Sequence, residues 1–161
     1  MNLEKSLKLI NDSYSLKLEL IKQVECKPLN SKVKNAAKLI KTPIGECYKN
    51  ALSVAVLLDD SENCDIKVIV GVAEIIPGFV EGHGWIKLNN EHFDPTLELN
   101  GTTYSENTYY GVLKEFTVEE ALEYASDNHN LPPYFPKALP DCMFTRPSYP
   151  SSISHHAFMN K

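Results

Sequence analysis

The sequence predicts a single α+β domain with N-terminal helices, a central antiparallel sheet and an irregular C-terminal section. Apolar residues repeat at helical spacing over the first forty residues. Runs rich in β-branched residues, separated by turn signals, begin at residue 66. Six of the ten prolines fall within 132–150. We therefore divide one domain, 1–161, into N-terminal helices (1–41), a core (42–130) and a proline-rich tail (131–161).

Two N-terminal segments have amphipathic patterns. An apolar stripe recurs every three or four residues over 3–25, which predicts one long helix that ends before Pro28. A second, shorter helix is expected from Asn30 or Ser31, either of which is a good N-cap, to about Ile40.

Four segments have strand-like composition, and they are expected at 66–73, 79–88, 91–95 and 109–116. Asn89-Asn90 separates the second segment from the third, and Asn tolerates the positive φ of a tight hairpin turn. A capping box from Thr117 to Glu120 begins a last helix. After it, apolar residues between Leu131 and Phe144 are expected to anchor the proline-rich tail.

The composition is ordinary for a soluble globular protein, with 43% apolar and 23% charged residues. No apolar run reaches membrane-spanning length, and the first residues lack the apolar centre of a signal peptide, so we expect a cytoplasmic protein with no membrane contact. The four cysteines are irregularly spaced, without a Cys-x-x-Cys pair. We expect reduced thiols, although two disulfides are not ruled out by spacing.

Charge is distributed unevenly along the chain. Residues 1–41 hold nine Lys against four Asp or Glu, a net charge of +5, whereas 42–161 hold seven Lys or Arg against seventeen Asp or Glu, a net charge of −10. The acidic body makes nucleic acid an unexpected partner. The basic N-terminal section is either a contact for an acidic partner or the solvated face of a helix.

The most informative stretch is Gly45-Glu46-Cys47-Tyr48, which leads directly into an apolar run. The run predicts a buried helix from about Gly45 to Leu58, with Cys47 in its first turn. Backbone N–H groups without helical partners lie there, together with the positive end of the helix dipole. They stabilise a thiolate and can bind a developing oxyanion. Cys47 is thus a candidate nucleophile; otherwise it is a small buried apolar residue.

A nucleophilic cysteine needs a base and a group that orients the base. His83 and Trp85 lie on one face of the second strand, because strand side chains alternate. If Asn89-Asn90 is a two-residue loop, Leu88 opposes Glu91, and Asp94 falls one diagonal step from His83 on the same face. A loop of odd length would place Asp94 on the opposite face.

A cysteine that begins a buried helix, then His-x-Trp on a strand and Asp-Pro-Thr after the next, resembles the papain-like superfamily over Thr42–Leu97. The pattern is closest to the transglutaminase-like branch and to small bacterial or phage proteins with this Cys…His…Asp order. The resemblance implies that Cys47 is the nucleophile, His83 the general base and acid, and Asp94 the group that orients His83. Papain has a glutamine as an oxyanion donor where Lys41 stands here, so the second donor is unassigned.

The resemblance implies a nucleophile helix packed on an antiparallel sheet, and a cysteine enzyme that acts on an amide or other acyl bond as a protease, deamidase or acyltransferase. A protein or peptide substrate is expected, and no cofactor is required. Trp85, Tyr48 and Gly84 are the candidate substrate-side residues. Trp85 is otherwise a wall packed beside the histidine, Tyr48 a helix-packing residue, and Gly84 a point of close backbone approach or a bulge.

Two other classes of function fit the same residues. One is a binding module that has the fold but performs no chemistry. The other is a metal-dependent hydrolase whose ligands are His83, His92 and a carboxylate, either Asp94 or Glu91.

Overall fold

The computed structural model describes residues 3–59, 64–76, 78–101 and 109–145, and it confirms a mixed α+β architecture. Its α-helices in these ranges are α1 (Leu3–Tyr14), α2 (Ser31–Ile40), α3 (Cys47–Asp59), α4 (Pro95–Leu99) and α5 (Val118–Asp127). The strands are β1 (Lys22–Val24), β2 (Ile66–Ile76), β3 (Phe79–Leu88), β4 (Glu91–Phe93) and β5 (Tyr109–Phe116). None of the described helices is long and apolar enough to cross a bilayer.

The strands form one antiparallel sheet in the order β1-β5-β2-β3-β4. The long β2–β3 hairpin is its centre, and β5 pairs with the other side of β2. Asn89 and Asn90 have φ of 48° and 68°, and Leu88 pairs with Glu91. The predicted two-residue turn and the register that depends on it are therefore confirmed.

The predicted N-terminal helix over 3–25 is wrong beyond Tyr14. The chain leaves the helix at Ser15, whose φ is +54°, and β1 then pairs with β5. The apolar residues after Ser15 also alternate with charged ones, and this pattern fits an extended chain as well as it fits a helix. The strand is favoured over a continued helix because it pairs with the edge of β5. Its backbone N–H and C=O groups bond to β5 groups that a continued helix would leave unpaired.

The strand predicted at 91–95 ends at Phe93, and the short helix α4 was not expected. Asp94 is its N-cap, and Pro95 occupies the first turn. The sequence contained this signal, since Asp followed by Pro is a favoured helix start. Elsewhere the predicted segments agree with the structure, apart from β2, which continues past Ala73 to Ile76. The capping box at Thr117 is present.

Helix α3 packs against one face of the sheet. Its buried residues meet apolar side chains of β2 and β3 in the main core, which includes Ala51, Val54, Ala55, Leu58, Val68, Val70, Val72, Ile86 and Leu88. A smaller core lies on the other face and contains Ile69, Ala73, Trp85, Leu97, Tyr110 and Val112. The sheet is therefore covered on both sides where it carries the candidate site.

The described part of the tail, to residue 145, packs on the domain through apolar side chains. Phe135, Leu139, Met143 and Phe144 are buried and join the main core. Leu131 is 50% exposed, so it is not one of the anchors. Prolines 147 and 150 lie outside the described residues.

Gly84 permits an unusually close contact between α3 and β3. A Cβ atom added at Gly84 would lie 2.7 Å from Cδ1 and 3.0 Å from Cα of Tyr48. The first turn of α3 thus rests directly on the strand backbone. Because Cys47 precedes Tyr48 and His83 precedes Gly84, this contact brings the two candidate catalytic residues to the same place.

We predict that Gly84→Ala destabilises the fold by about 1–3 kcal/mol, because the added methyl group must displace the backbone of α3. The free energy of unfolding from urea titration measures the effect. Gly82→Ala tests the neighbouring contact, since its methyl group would lie 2.7–2.9 Å from side-chain atoms of Tyr48 and Phe135. It should also lower the free energy of unfolding. Equal stability of Gly84→Ala and the wild type would contradict the close contact.

Candidate active site

Cys47 is the first residue of α3 and is partly buried. The loop before it is tied down by two amide side chains. Asn50 donates to the Pro43 carbonyl oxygen at 2.8 Å, and Asn100 donates to the Thr42 carbonyl oxygen at 2.8 Å. These bonds fix the entry of the chain into the helix, and with it the position of the thiol. None of the four cysteines, all of which lie in the described ranges, forms a disulfide.

His83 lies in the middle of β3 and is 3% exposed. Its Nε2 atom is 2.7 Å from Oδ2 of Asp94. Its ring stacks on Trp85, with the ring centroids 6.2 Å apart and the planes inclined by 23°. The imidazole is therefore held on its face by the indole and at one edge by the carboxylate.

Asp94 has no exposed surface. Its Oδ2 atom accepts hydrogen bonds from His83 and from the Tyr110 hydroxyl, the latter at 2.9 Å. Its Oδ1 atom accepts from the backbone N–H of Leu97 at 3.1 Å. A buried carboxylate is costly unless such donors surround it. Asp94 both begins α4 and orients His83, so the predicted pairing of Asp94 with His83 is present in the structure.

The electrostatics of His83 follow from its two polar neighbours. Burial by itself lowers the pKa of His83, but the negative charge of Asp94, its hydrogen bond, and the hydrogen-bonding contact with Cys47 together hold that pKa above its usual value. Because Nε2 faces Asp94, Nδ1 is the nitrogen left for the Cys47 sulfur. The arrangement is a thiol, an imidazole and a carboxylate in series.

His92 has a different role from the one that a metal site would require. Its Nδ1 atom accepts a hydrogen bond from the Trp85 indole at 3.0 Å. Burial lowers the pKa of His92 to about 4; Glu115 opposes the shift, and Lys87 and Lys22 add to it. Within the described ranges, no group of three or more His, Cys, Asp or Glu side chains is placed to hold a metal ion. His83 and His92 thus face different partners.

A cavity of about 550 Å³ opens beside the thiol and the imidazole. It is lined by Ile44, Gly45, Cys47, Tyr48, Ile75, Ile76, Phe79, Glu81, Gly82, His83, Thr96 and Leu97. Of the candidate substrate-side residues, Tyr48 reaches this cavity. Trp85 has no exposed surface and packs behind His83, while Gly84 lies under the backbone of Tyr48. The structure supports a packing role for the last two.

Sequence reasoning did not predict the contacts of three side chains that complete the site. Tyr110 supports Asp94, Asn50 ties α3 to α4, and Thr96 lines the cavity while it is 2% exposed. The Thr96 Oγ1 atom accepts from the Asn50 amide at 3.0 Å, which leaves the hydroxyl hydrogen available for another acceptor. The position of Thr96 directly after Asp94-Pro95 was a signal that it lies near the site. No local signal marks the contacts of Tyr110 and Asn50, because they depend on packing between distant segments.

We predict that His92 makes the fold acid-sensitive. The folded-state pKa of about 4 is below the ordinary 6.5, so the unfolded chain binds a proton that the folded chain excludes, and stability falls as pH drops from 6.5 toward 4. His92→Asn keeps an acceptor for the Trp85 indole but cannot titrate. It should reduce the loss of unfolding free energy between pH 7 and pH 5 by about 1–2 kcal/mol.

Chemical denaturation at both pH values measures this difference. His129→Asn is the control, because it removes an exposed histidine and leaves His92 in place, so the acid-induced loss of unfolding free energy should persist in it. The same acid-induced loss in wild type and His92→Asn would show that His92 is not held neutral by the fold.

Comparison of this chain with models of known protein families, with curated proteins and with solved structures found no match. The geometry of the site is therefore what indicates its chemistry. A thiol at a helix N-terminus shares a cavity with an imidazole that a buried carboxylate orients, and the thiol raises the pKa of that imidazole. That arrangement is the one required for covalent catalysis by cysteine.

Proposed function

We propose that the protein is a cysteine-dependent hydrolase or acyltransferase of papain-like, transglutaminase-like type, which acts on an amide or related acyl bond. The observation that carries the proposal is the position of His83 between two partners. Its Nε2 atom lies 2.7 Å from Asp94, and its other polar neighbour is Cys47, which raises the pKa of His83 and lines the same cavity. The order of these residues along the chain, and a helix beginning at Cys47 that packs on an antiparallel sheet, support this family.

In the proposed reaction His83 Nδ1 accepts the thiol proton of Cys47, and the thiolate sulfur attacks the carbonyl carbon of the substrate. The carbonyl π electrons move to oxygen. When they return, the bond to the leaving nitrogen or oxygen breaks, and His83 gives its proton to that atom. A thioester on Cys47 results. Water or an amine then attacks the thioester, His83 accepts the proton of the attacking group, and the thiolate leaves.

The negative oxygen formed in each step needs hydrogen-bond donors. Backbone N–H groups in the first turn of α3 supply one set, since they have no helical partners. We assign the second donor to the Thr96 hydroxyl. It lines the cavity that holds Cys47, and its oxygen is already fixed by the Asn50 amide. Pre-orientation of this kind lowers the cost of binding a developing charge.

A first test is the reactivity of the Cys47 thiol with iodoacetamide at pH 7, followed by mass spectrometry of each cysteine. His83→Gln is the informative variant, because its amide N–H can replace the donor to Asp94 but provides no base. Cys47 should react about tenfold more slowly in His83→Gln, since an imidazolium no longer favours the thiolate. Cys142, which is exposed, is the internal reference and should react equally in both proteins.

His92→Asn is a second control for this experiment. It alters the histidine on the far side of Trp85 and should leave the reactivity of Cys47 unchanged. A Cys47 thiol that reacts at the same rate in His83→Gln and in the wild type would exclude the proposed pair. The inert binding module would then be the better account of the fold.

The role of Thr96 is tested with p-nitrophenyl acetate, whose nitrophenolate is released when Cys47 is acylated. Thr96→Val should slow the acylation rate by about 10²-fold, because one donor to the oxyanion is lost. Thr96→Ser keeps the hydroxyl and should restore most of the rate. Thr96→Val also removes one of the two acceptors of the Asn50 amide, so folding is checked by circular dichroism. Equal acylation by the folded valine and serine variants would remove Thr96 from the mechanism.

A further inference from the structure

Three residues on one face of β3 form a row that leads to the catalytic histidine. Phe79, Glu81 and His83 alternate with residues that point the other way, so they share a face, and successive members are about 7 Å apart. All three line the cavity of about 550 Å³. A cavity of this size accommodates a segment of a few residues rather than a single small group.

The outer part of the cavity is apolar and open to solvent. Ile44, Ile76 and Phe79 line it and are 70%, 64% and 59% exposed. Single exposed apolar side chains are common on protein surfaces. Here they surround one opening, next to the reactive thiol, and grouped exposed apolar side chains are typical of binding surfaces.

Away from the His83–Asp94 pair, the charge that lines the cavity is negative. Glu81 supplies an exposed carboxylate, and none of the described residues that line the cavity is Lys or Arg. An anionic group such as a carboxylate or phosphate would therefore meet repulsion from Glu81 without a lysine or arginine partner. A substrate ammonium or guanidinium group would instead pair with Glu81.

We propose that the acyl substrate is an extended polypeptide segment with a basic residue at the reacting carbonyl and a large apolar residue two positions away. This inference rests on the proposed function of the same site. In an extended chain, side chains two residues apart lie about 7 Å apart, the spacing of Phe79 and Glu81. The basic side chain pairs with Glu81, the apolar side chain packs against Phe79, Ile76 and Ile44, and the carbonyl lies beside Cys47.

The test is a binding titration with the full-length Cys47→Ala variant, in which turnover cannot occur. Backbone amide NMR signals of Gly82 and His83 report occupancy of the cavity. The probes are three peptides: N-acetyl-Leu-Ala-Lys-amide, N-acetyl-Leu-Ala-Glu-amide and N-acetyl-Gly-Ala-Lys-amide. The first should bind about threefold more tightly than the second, through the charge, and about tenfold more tightly than the third, through the leucine.

Two substitutions in the same background assign these preferences. Glu81→Gln should abolish the preference for Lys over Glu and leave the preference for Leu over Gly. Phe79→Ser should abolish the preference for Leu over Gly and leave the preference for Lys over Glu. Equal affinities for the three peptides, or peptides that leave the Gly82 and His83 signals unchanged, would overturn the proposed substrate class. A preference that survives Glu81→Gln would overturn the role of that carboxylate.

Binding and chemistry are separated by this design. Because Cys47→Ala performs no chemistry, peptide selectivity is measured whether or not the thiol is a nucleophile. Failure of the proposed reaction would appear as unchanged thiol reactivity in His83→Gln. Failure of the proposed substrate class would appear in the peptide affinities.

Discussion

The buried pair of His83 and Asp94 is the constraint on which the rest of the site depends. A carboxylate with no exposed surface would cost several kcal/mol if it were unpaired. Its hydrogen-bond donors come from three elements: the His83 ring in β3, the Leu97 N–H in α4 and the Tyr110 hydroxyl in β5. The hairpin register, the start of α4 and the placement of β5 must all be correct before the charge is satisfied. The contacts that assemble β3, α4 and β5 around Asp94 are thus the same contacts that orient the His83 imidazole.

The approach of α3 to the sheet is the second requirement. His83 and Trp85 belong to the face opposite the one that α3 covers, so a thiol on that helix reaches the imidazole only if the helix touches the strand backbone. Gly84 allows this contact, since any side chain there would collide with Tyr48. Trp85 then supports the imidazole from behind and is itself anchored by His92. The Trp85 indole on its face and the Asp94 carboxylate at its edge together hold the His83 ring in one orientation.

Much of this arrangement was predictable from local patterns. The two-residue turn at Asn89-Asn90 fixes the register, and the register places Asp94 beside His83. The helix predicted over 3–25 failed because edge pairing with β5, a long-range interaction, overrides a local periodicity that was ambiguous after Ser15. The contacts of Tyr110 and Asn50 were not predicted for a related reason: a single polar residue in a strand or helix does not show which distant segment it meets. The proposed role of Glu81 could not be predicted either, because it depends on the cavity that Glu81 and Phe79 line together.

The proposed site depends on His83 lying between Cys47 and Asp94. Nitrogen-15 NMR of the His83 ring is the measurement of choice, because the two nitrogen shifts report both protonation and tautomer through a pH titration. We expect Nε2 to carry a proton shared with Asp94, the pKa of His83 to be above 6.5, and this pKa to fall in Cys47→Ala and in Asp94→Asn. A His83 ring that titrates at its ordinary value, and identically in the three proteins, would rule out this link between the thiol and the carboxylate.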